Sequence, residues 1–254
     1  MKLTSTKDAA TNGIKALVYG LSGIGKTSLA ATTGNLPATI IASAENGLLS
    51  LRGFDIDATT IETLDDLASL WKWLTNTPEG QSKQWLIIDS ISEIAEVVLS
   101  SQKKVEINGK LVDPRQAYGA MQEKMIDIIR AFRDLPLNVV MIAKCEKAQD
   151  ENGRLLNYPS TPGNKLGQAL PYMFDEVWAM RIQKDAQGFE HRVIQTQPDY
   201  NWTAKDRSGA LEALEPPDLA EILAKINQAR PTAEEAAAAE AILLNILESS
   251  NQSE

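Results

Sequence analysis

The chain of 254 residues is poor in reactive and metal-ligating side chains, with one cysteine, Cys145, and one histidine, His191. A lone cysteine excludes an intramolecular disulfide. Together the two residues exclude a zinc centre of His and Cys ligands built within one chain. No apolar stretch reaches the ~20 residues that a bilayer span requires, so no membrane partner is expected. The first residues, MKLTSTKDAATNG, are polar and carry no apolar signal core, so a reducing cytoplasm is the expected compartment. Aromatic residues are scarce at 6%, which limits any platform for stacking bases. What remains is globular in balance, with 43% hydrophobic and 23% charged residues. The length suits one α/β domain, or at most two small ones. No internal repeat is visible.

The net charge of −9 is unevenly spread. From Asp206 onward there are ten acidic and three basic residues, whereas the preceding residues carry 24 acidic and 22 basic. Acidity throughout would argue against nucleic acid. A nearly neutral body with an acidic C-terminal end leaves basic loops free to meet phosphate. The acidic end is itself a candidate site for a protein partner, although a solvated helix is the preferred reading.

Residues 15–19 (KALVY), 38–43 (ATIIAS), 85–89 (WLIID) and 138–143 (NVVMIA) read as buried strands. Apolar periodicity predicts helices over 64–75, 91–101 and 115–135. A short helix is expected over 28–32, a loop over 102–114, a long loop or a hairpin over 146–163, and a late β-hairpin from 174–182 and 190–197. Helices follow over 217–228 and 232–247, the second opened by a Thr232/Glu235 capping box. Trp71, Trp73 and Trp85 read as core or near-core. This alternation predicts an α/β fold with a mostly parallel central sheet and helices on both faces. Residues 1–13 read as a loose N-terminus, 14–226 as the core, and 227–254 as a helical acidic extension.

The sharpest signal is Gly20-Leu-Ser-Gly-Ile-Gly25-Lys26-Thr27, which matches G-x-x-x-x-G-K-[ST]. Glycines allow a tight turn whose backbone N–H groups point at an anion. The helix that follows turns its positive end to the same phosphates. Gly20, Ser22, Gly23, Ile24, Gly25, Lys26, Thr27 and Ser28 are therefore the candidate nucleotide contacts. Lys26 reaches the β/γ-phosphates of ATP, and Thr27 offers a hydroxyl to Mg²⁺. Asp89 ends a strand 63 residues after Lys26 and suits the water shell of the same ion, while also sitting where a helix cap is needed. Glu45 follows the second strand, where a carboxylate can act as general base on water. No N-K-x-D guanine motif and no arginine-rich lid is present, which argues against a GTPase or a nucleotide kinase.

The order of phosphate loop, Ser-Ala-Glu45-Asn and Leu-Ile-Ile-Asp89-Ser-Ile resembles the RecA ATPase core. The resemblance implies that Glu45 activates water and Asp89 serves Mg²⁺. Pro162-Gly-Asn-Lys165-Leu-Gly, Phe174-Asp-Glu-Val-Trp178 and Ala204-Lys-Asp-Arg207 extend it to phage ATP-binding proteins that include single-strand annealing recombinases. It then implies slow ATP hydrolysis, single-stranded DNA binding and annealing in recombination, in the host cytoplasm. RecA proteins carry a glutamine sensor after the strand that follows the Mg²⁺ strand, and Lys144 stands nearest that place here. Two loops after the Mg²⁺ strand hold DNA in RecA-like cores. The first, 102–115, carries Lys103, Lys104, Lys110 and Arg115, whose cations suit phosphates, and the second spans 146–165. Tyr118 and Tyr158 are the nearest aromatics. Lys165, and more weakly Arg207, are placed to enter a neighbour's ATP site as a trans cation, which implies a homo-oligomer, ring or filament. A nucleotide-regulated accessory module without DNA activity and a helicase-type motor are the alternatives. Cys145 and His191, the latter beside Arg192, read as without catalytic role.

Overall fold

The short β-branched runs form the centre of a ten-stranded sheet. The computed structural model describes residues 12–45, 47–107, 110–149 and 153–228. Strands β1 (Lys15–Gly20), β2 (Thr39–Ser43) and β4 (Trp85–Asp89) are buried at every residue. Burial on both faces is what continuous apolar strands in a parallel sheet require. β3 (Asp57–Thr60), β7 (Asn138–Gln149) and β9 (Glu176–Lys184) complete the parallel part, β10 (Glu190–Gln195) and β12 (Leu214–Glu215) add an antiparallel edge, and the short β11 (Lys205–Asp206) pairs antiparallel with β9. The strand order is β12-β10-β9-β1-β7-β4-β2-β3, so β7 lies between β1 and β4. Gly20 at the end of β1 stands level with Lys144 of β7 and Met180 of β9. Asp89 at the end of β4 stands level with Ser43 and Ile142. All the candidate catalytic ends thus meet on one edge of the sheet.

Helices cover both faces. One face carries α1 (Leu64–Asn76), α2 (Ile91–Lys103), α3 (Pro114–Arg133) and α4 (Asn164–Met173). On α3 the side chains Met121, Met125, Ile129 and Phe132, spaced three or four apart, are buried. Each such side chain stabilises by about 1.5–3 kcal/mol when fully removed from water. The other face carries a 3-10 helix over Thr27–Thr32 and α5 (Leu219–Gln228), whose Leu219, Ile222 and Ile226 pack with Leu29 and Trp178. Thr63 and Asp66 form a capping box at the start of α1, and Ser90 caps α2.

Several expectations need correction. The segment after the phosphate loop is 3-10 rather than an ordinary helix. Its threonines explain this, because Thr32 Oγ1 donates back to Leu29 O at 2.8 Å and Thr33 Oγ1 to Ala30 O at 3.4 Å. Such bonds compete with the regular ladder and shorten the helix. Residues 102–114 are not all loop, because β5 (Glu106–Ile107) and β6 (Lys110–Leu111) pair in a short hairpin. β7 runs on to Gln149 and pairs antiparallel with β8 (Leu155–Ser160), so the hairpin reading of 146–163 holds. β3 has no signal in its four residues, DATT, and exists because β2 offers it an edge. Trp85 is core, but Trp71 is 39% exposed and donates its indole N–H to Ala131 O of α3 at 3.2 Å. The helix expected over 232–247 and most of the acidic extension lie outside the described residues. No helix among the described residues is long and apolar enough to cross a membrane.

Candidate nucleotide site

The phosphate loop begins where β1 must end. A Cβ on Gly20 would stand 2.4 Å from Met180 O, so only glycine lets β9 approach this close. Gly25 has φ +99°, a conformation that disfavours any side chain. Ile24 is buried and anchors the loop to the core, whereas Ser22 and Gly23 face solvent. Lys26 folds back over its own loop and donates to Gly20 O and Leu21 O, both at 2.9 Å. Burial pulls the Lys26 pKa down, and the carboxylates of Asp89 and Glu45 push it back up.

Thr27 and Asp89 meet across the sheet edge, with Thr27 Oγ1 donating to Asp89 Oδ2 at 2.5 Å. Asp89 is 4% exposed. Burial raises its pKa first, the Thr27 hydrogen bond opposes that, and Glu45 adds to the rise. The pair presents hard oxygen donors of the kind Mg²⁺ uses, one hydroxyl and one carboxylate, with the remaining positions left to water and phosphate oxygens. These residues fit the ion. Among the described residues no group of three or more His, Cys, Asp or Glu side chains forms an all-protein metal cage.

Glu45 is held by a residue that the sequence reading missed. Ser90 Oγ donates to Glu45 Oε1 at 2.7 Å and accepts from Glu93 N at 3.3 Å. Ala44 N donates to Asp89 O at 2.7 Å, so the ends of β2 and β4 are tied together and Glu45 and Asp89 share one edge. The signal for Ser90 was its place as the capping residue of α2, but its second role depends on β2 and β4 being neighbours. A second unforeseen contact lies above Gly25. A Cβ there would meet Arg192 Nη1 at 3.2 Å, which brings a β10 arginine onto the loop.

The other candidates are dispersed. Lys144 stands beside Gly20, but its ammonium pairs with Glu93 of α2, and this hydrogen bond raises its pKa. Its backbone N–H donates to Ser92 Oγ at 2.9 Å, and Ser92 Oγ donates on to Ser160 O at 2.5 Å. Lys165 is exposed in the first turn of α4. Arg207 pairs with Asp175 at 2.6 Å, and Asp175 N bonds Lys15 O, so within its own chain Arg207 lies at the opposite sheet edge. Lys103 and Lys104 are exposed at the end of α2, and Arg115 is exposed at the start of α3. Lys110 belongs to the β5–β6 hairpin. Lys103 Nζ lies 5.5 Å from the centroid of the Tyr118 ring. Burial pushes the Cys145 thiol up to about 11, which keeps it protonated and unreactive at neutral pH. His191 Nε2 contacts Asp185 Oδ2 at 2.8 Å on the exposed β9–β10 hairpin.

A parallel sheet with a Gly-Lys-Thr loop on its central strand and an acidic strand end two positions away defines a P-loop nucleoside-triphosphatase core. The family model described as AAA domain matches residues 12–208, and the chain belongs to this family of AAA-type P-loop ATPases. No curated protein sequence matches the chain.

Proposed function

We propose that the chain is a Mg²⁺-dependent ATPase whose ATP-bound oligomer, ring or filament, holds single-stranded DNA and promotes strand annealing in phage recombination. The observation that carries the ATPase reading is the pair of contacts Thr27–Asp89 and Ser90–Glu45 on one sheet edge. Loop N–H groups and Lys26 bind the phosphates. Mg²⁺, held by Thr27 and through water by Asp89, would neutralise charge developing on the phosphate oxygens. Ser90 occupies Oε1 of Glu45, which leaves Oε2 to take a proton from water. The water oxygen then bonds to the γ-phosphorus as its bond to the β,γ-bridging oxygen breaks, releasing ADP and phosphate. Phosphate release that needs Mg²⁺ and is abolished by Lys26→Ala tests this reading. Turnover by Lys26→Ala at the wild-type rate would reject it.

The DNA reading draws its support from the RecA-like motif order and from the basic loop. Lys103 over Tyr118 sets a cation and an aromatic ring side by side, the pairing that phosphate and base recognition uses. Tyr118 also borders Gly163, just before Lys165, so the two candidate loops are neighbours. Fluorescence anisotropy with labelled single-stranded DNA tests it, with no nucleotide, with ADP-Mg²⁺ and with a non-hydrolysable ATP analogue at two salt concentrations. The expected result is binding strengthened by the analogue, weakened by salt, and lost in a Lys103→Ala/Lys104→Ala/Lys110→Ala variant. Absence of binding in every state, with ATP binding intact, overturns it. One observation favours a nucleotide-regulated accessory module instead. Lys144 is engaged by Glu93 where RecA proteins place an amide switch, so a phosphate contact by Lys144 requires exchange of Glu93.

A further inference from the structure

We infer that Arg192 is a nucleotide-binding residue, whose guanidinium grips the diphosphate part of the bound nucleotide within the same chain. This inference rests on the ATP-binding reading above. Pairing of β10 with β9 sets Arg192 opposite Ile182 and Ile194 opposite Met180, and Met180 in turn stands level with Gly20. Side chains two residues apart on a strand share a face. Arg192 therefore lies on the face of Ile194 and Met180, one step beyond the level at which β1 turns into the phosphate loop.

The consequence is local and specific. Around the position of an absent Gly25 Cβ stand Arg192 Nη1 at 3.2 Å, Met180 Cε at 3.5 Å and Arg192 Cζ at 3.6 Å. The guanidinium thus covers the loop glycine that immediately precedes Lys26. In such loops the backbone N–H groups cradle the α- and β-phosphates, while the lysine reaches the β- and γ-phosphates. A cation above Gly25 is accordingly placed for the diphosphate.

The charge state of its surroundings supports the same assignment. Arg181, on the same hairpin, is engaged by Gln195 at 2.6 Å and Gln183 at 2.5 Å. Arg133 and Arg207 have aspartate partners. Arg192 is exposed, and its side chain makes no hydrogen bond and no ion pair among the described residues. An arginine fork without a carboxylate, beside a loop built to bind phosphate, is matched by a bidentate phosphate contact. Arg192 sits 167 positions from Gly25 in the chain, and only the β1–β9–β10 register joins them.

The test is titration calorimetry of ADP-Mg²⁺ and of a non-hydrolysable ATP analogue against wild type, Lys26→Ala, Arg192→Ala, Arg192→Lys and Arg181→Ala. Arg192→Ala is expected to weaken both ligands by about tenfold or more, as loss of a charge-assisted contact does. Arg192→Lys recovers part of the affinity, and Arg181→Ala binds as wild type. The melting temperature of the nucleotide-free Arg192→Ala protein stays at the wild-type value, because the side chain has no partner to lose. Wild-type ADP affinity in Arg192→Ala, alongside weakened binding by Lys26→Ala, overturns the inference alone. A loss confined to the ATP analogue overturns the diphosphate assignment. Failure of wild type to bind either nucleotide rejects the ATP-binding reading and this inference with it.

Discussion

Thr27 and Asp89, 62 residues apart, share a hydrogen bond of 2.5 Å that closes the candidate metal-binding edge of the sheet. The hydroxyl comes from the first residue of the 3-10 helix and the carboxylate from the end of β4. Neither strand touches the other, because β7 lies between them. The contact therefore depends on the registers of β1 with β7, which ends at Gly20 beside Lys144, and of β7 with β4, which ends two residues earlier on β7 with Asp89 beside Ile142.

Asp89→Asn removes the charge proposed to hold the ion while keeping the shape. ATP hydrolysis is expected to fall by about 100-fold or more, as for loss of one preorganised electrostatic partner. The Mg²⁺ concentration for half-maximal activity rises in the same variant. Phosphate release measured across a Mg²⁺ titration checks this, and an unchanged midpoint would count against a metal role.

Ser90 acts through Glu45, so the two variants should differ in kind. Glu45→Gln keeps ATP affinity and lowers the turnover rate by about 100- to 10,000-fold, the range for loss of a general base. Ser90→Ala lowers it by a smaller factor with KM unchanged, because Glu45 loses its donor at 2.7 Å. Its helix-capping loss costs about 1 kcal/mol of stability. A turnover rate equal to wild type in Ser90→Ala would leave the serine a cap alone.

Lys15 holds the opposite end of β1. It is 7% exposed, and its ammonium donates to Asn12 O at 2.5 Å, Leu135 O at 2.7 Å and Leu137 O at 2.5 Å. Lys15→Met keeps the aliphatic stem and strands these carbonyls. The expected loss is about 2–4 kcal/mol, read from urea denaturation. A loss under about 0.5 kcal/mol, the range of ordinary surface substitutions, would show that water replaces the ammonium.

Glu176 gives stability a pH dependence. It is 3% exposed and accepts from Trp178 Nε1 at 3.3 Å and from the backbone N–H groups of Arg207 and Ser208, both at 3.2 Å. Burial, then Asp206, raises its carboxyl pKa from 4.5 to about 7. The folded chain therefore keeps a proton that the unfolded chain releases above 4.5. This contribution is full below that value and is lost as the pH climbs through about 7. The loss is on the order of 3 kcal/mol. Denaturation midpoints at about pH 5 and about pH 8 should differ less in Glu176→Gln than in wild type, and equal differences would reject the assignment.

Residue order by itself determined the elements whose pattern is local. The apolar runs of β1, β2, β4 and the start of β7, the periodicity of α1, α2 and α3, and the phosphate loop were legible because each depends on near neighbours in the chain. Asp89 and Glu45 were legible as polar residues at the ends of apolar strands. What only the tertiary structure decided are relations between distant segments. The pairing of β2 with β4 joins Glu45 to Ser90. The β1–β9–β10 register carries Arg192 over Gly25, while the packing of α1 on α3 leaves Trp71 part-exposed. The β2 edge makes a strand of the four residues of β3. Strand order and register arise from burial and hydrogen bonding summed over the whole sheet, and no window of consecutive residues contains that sum.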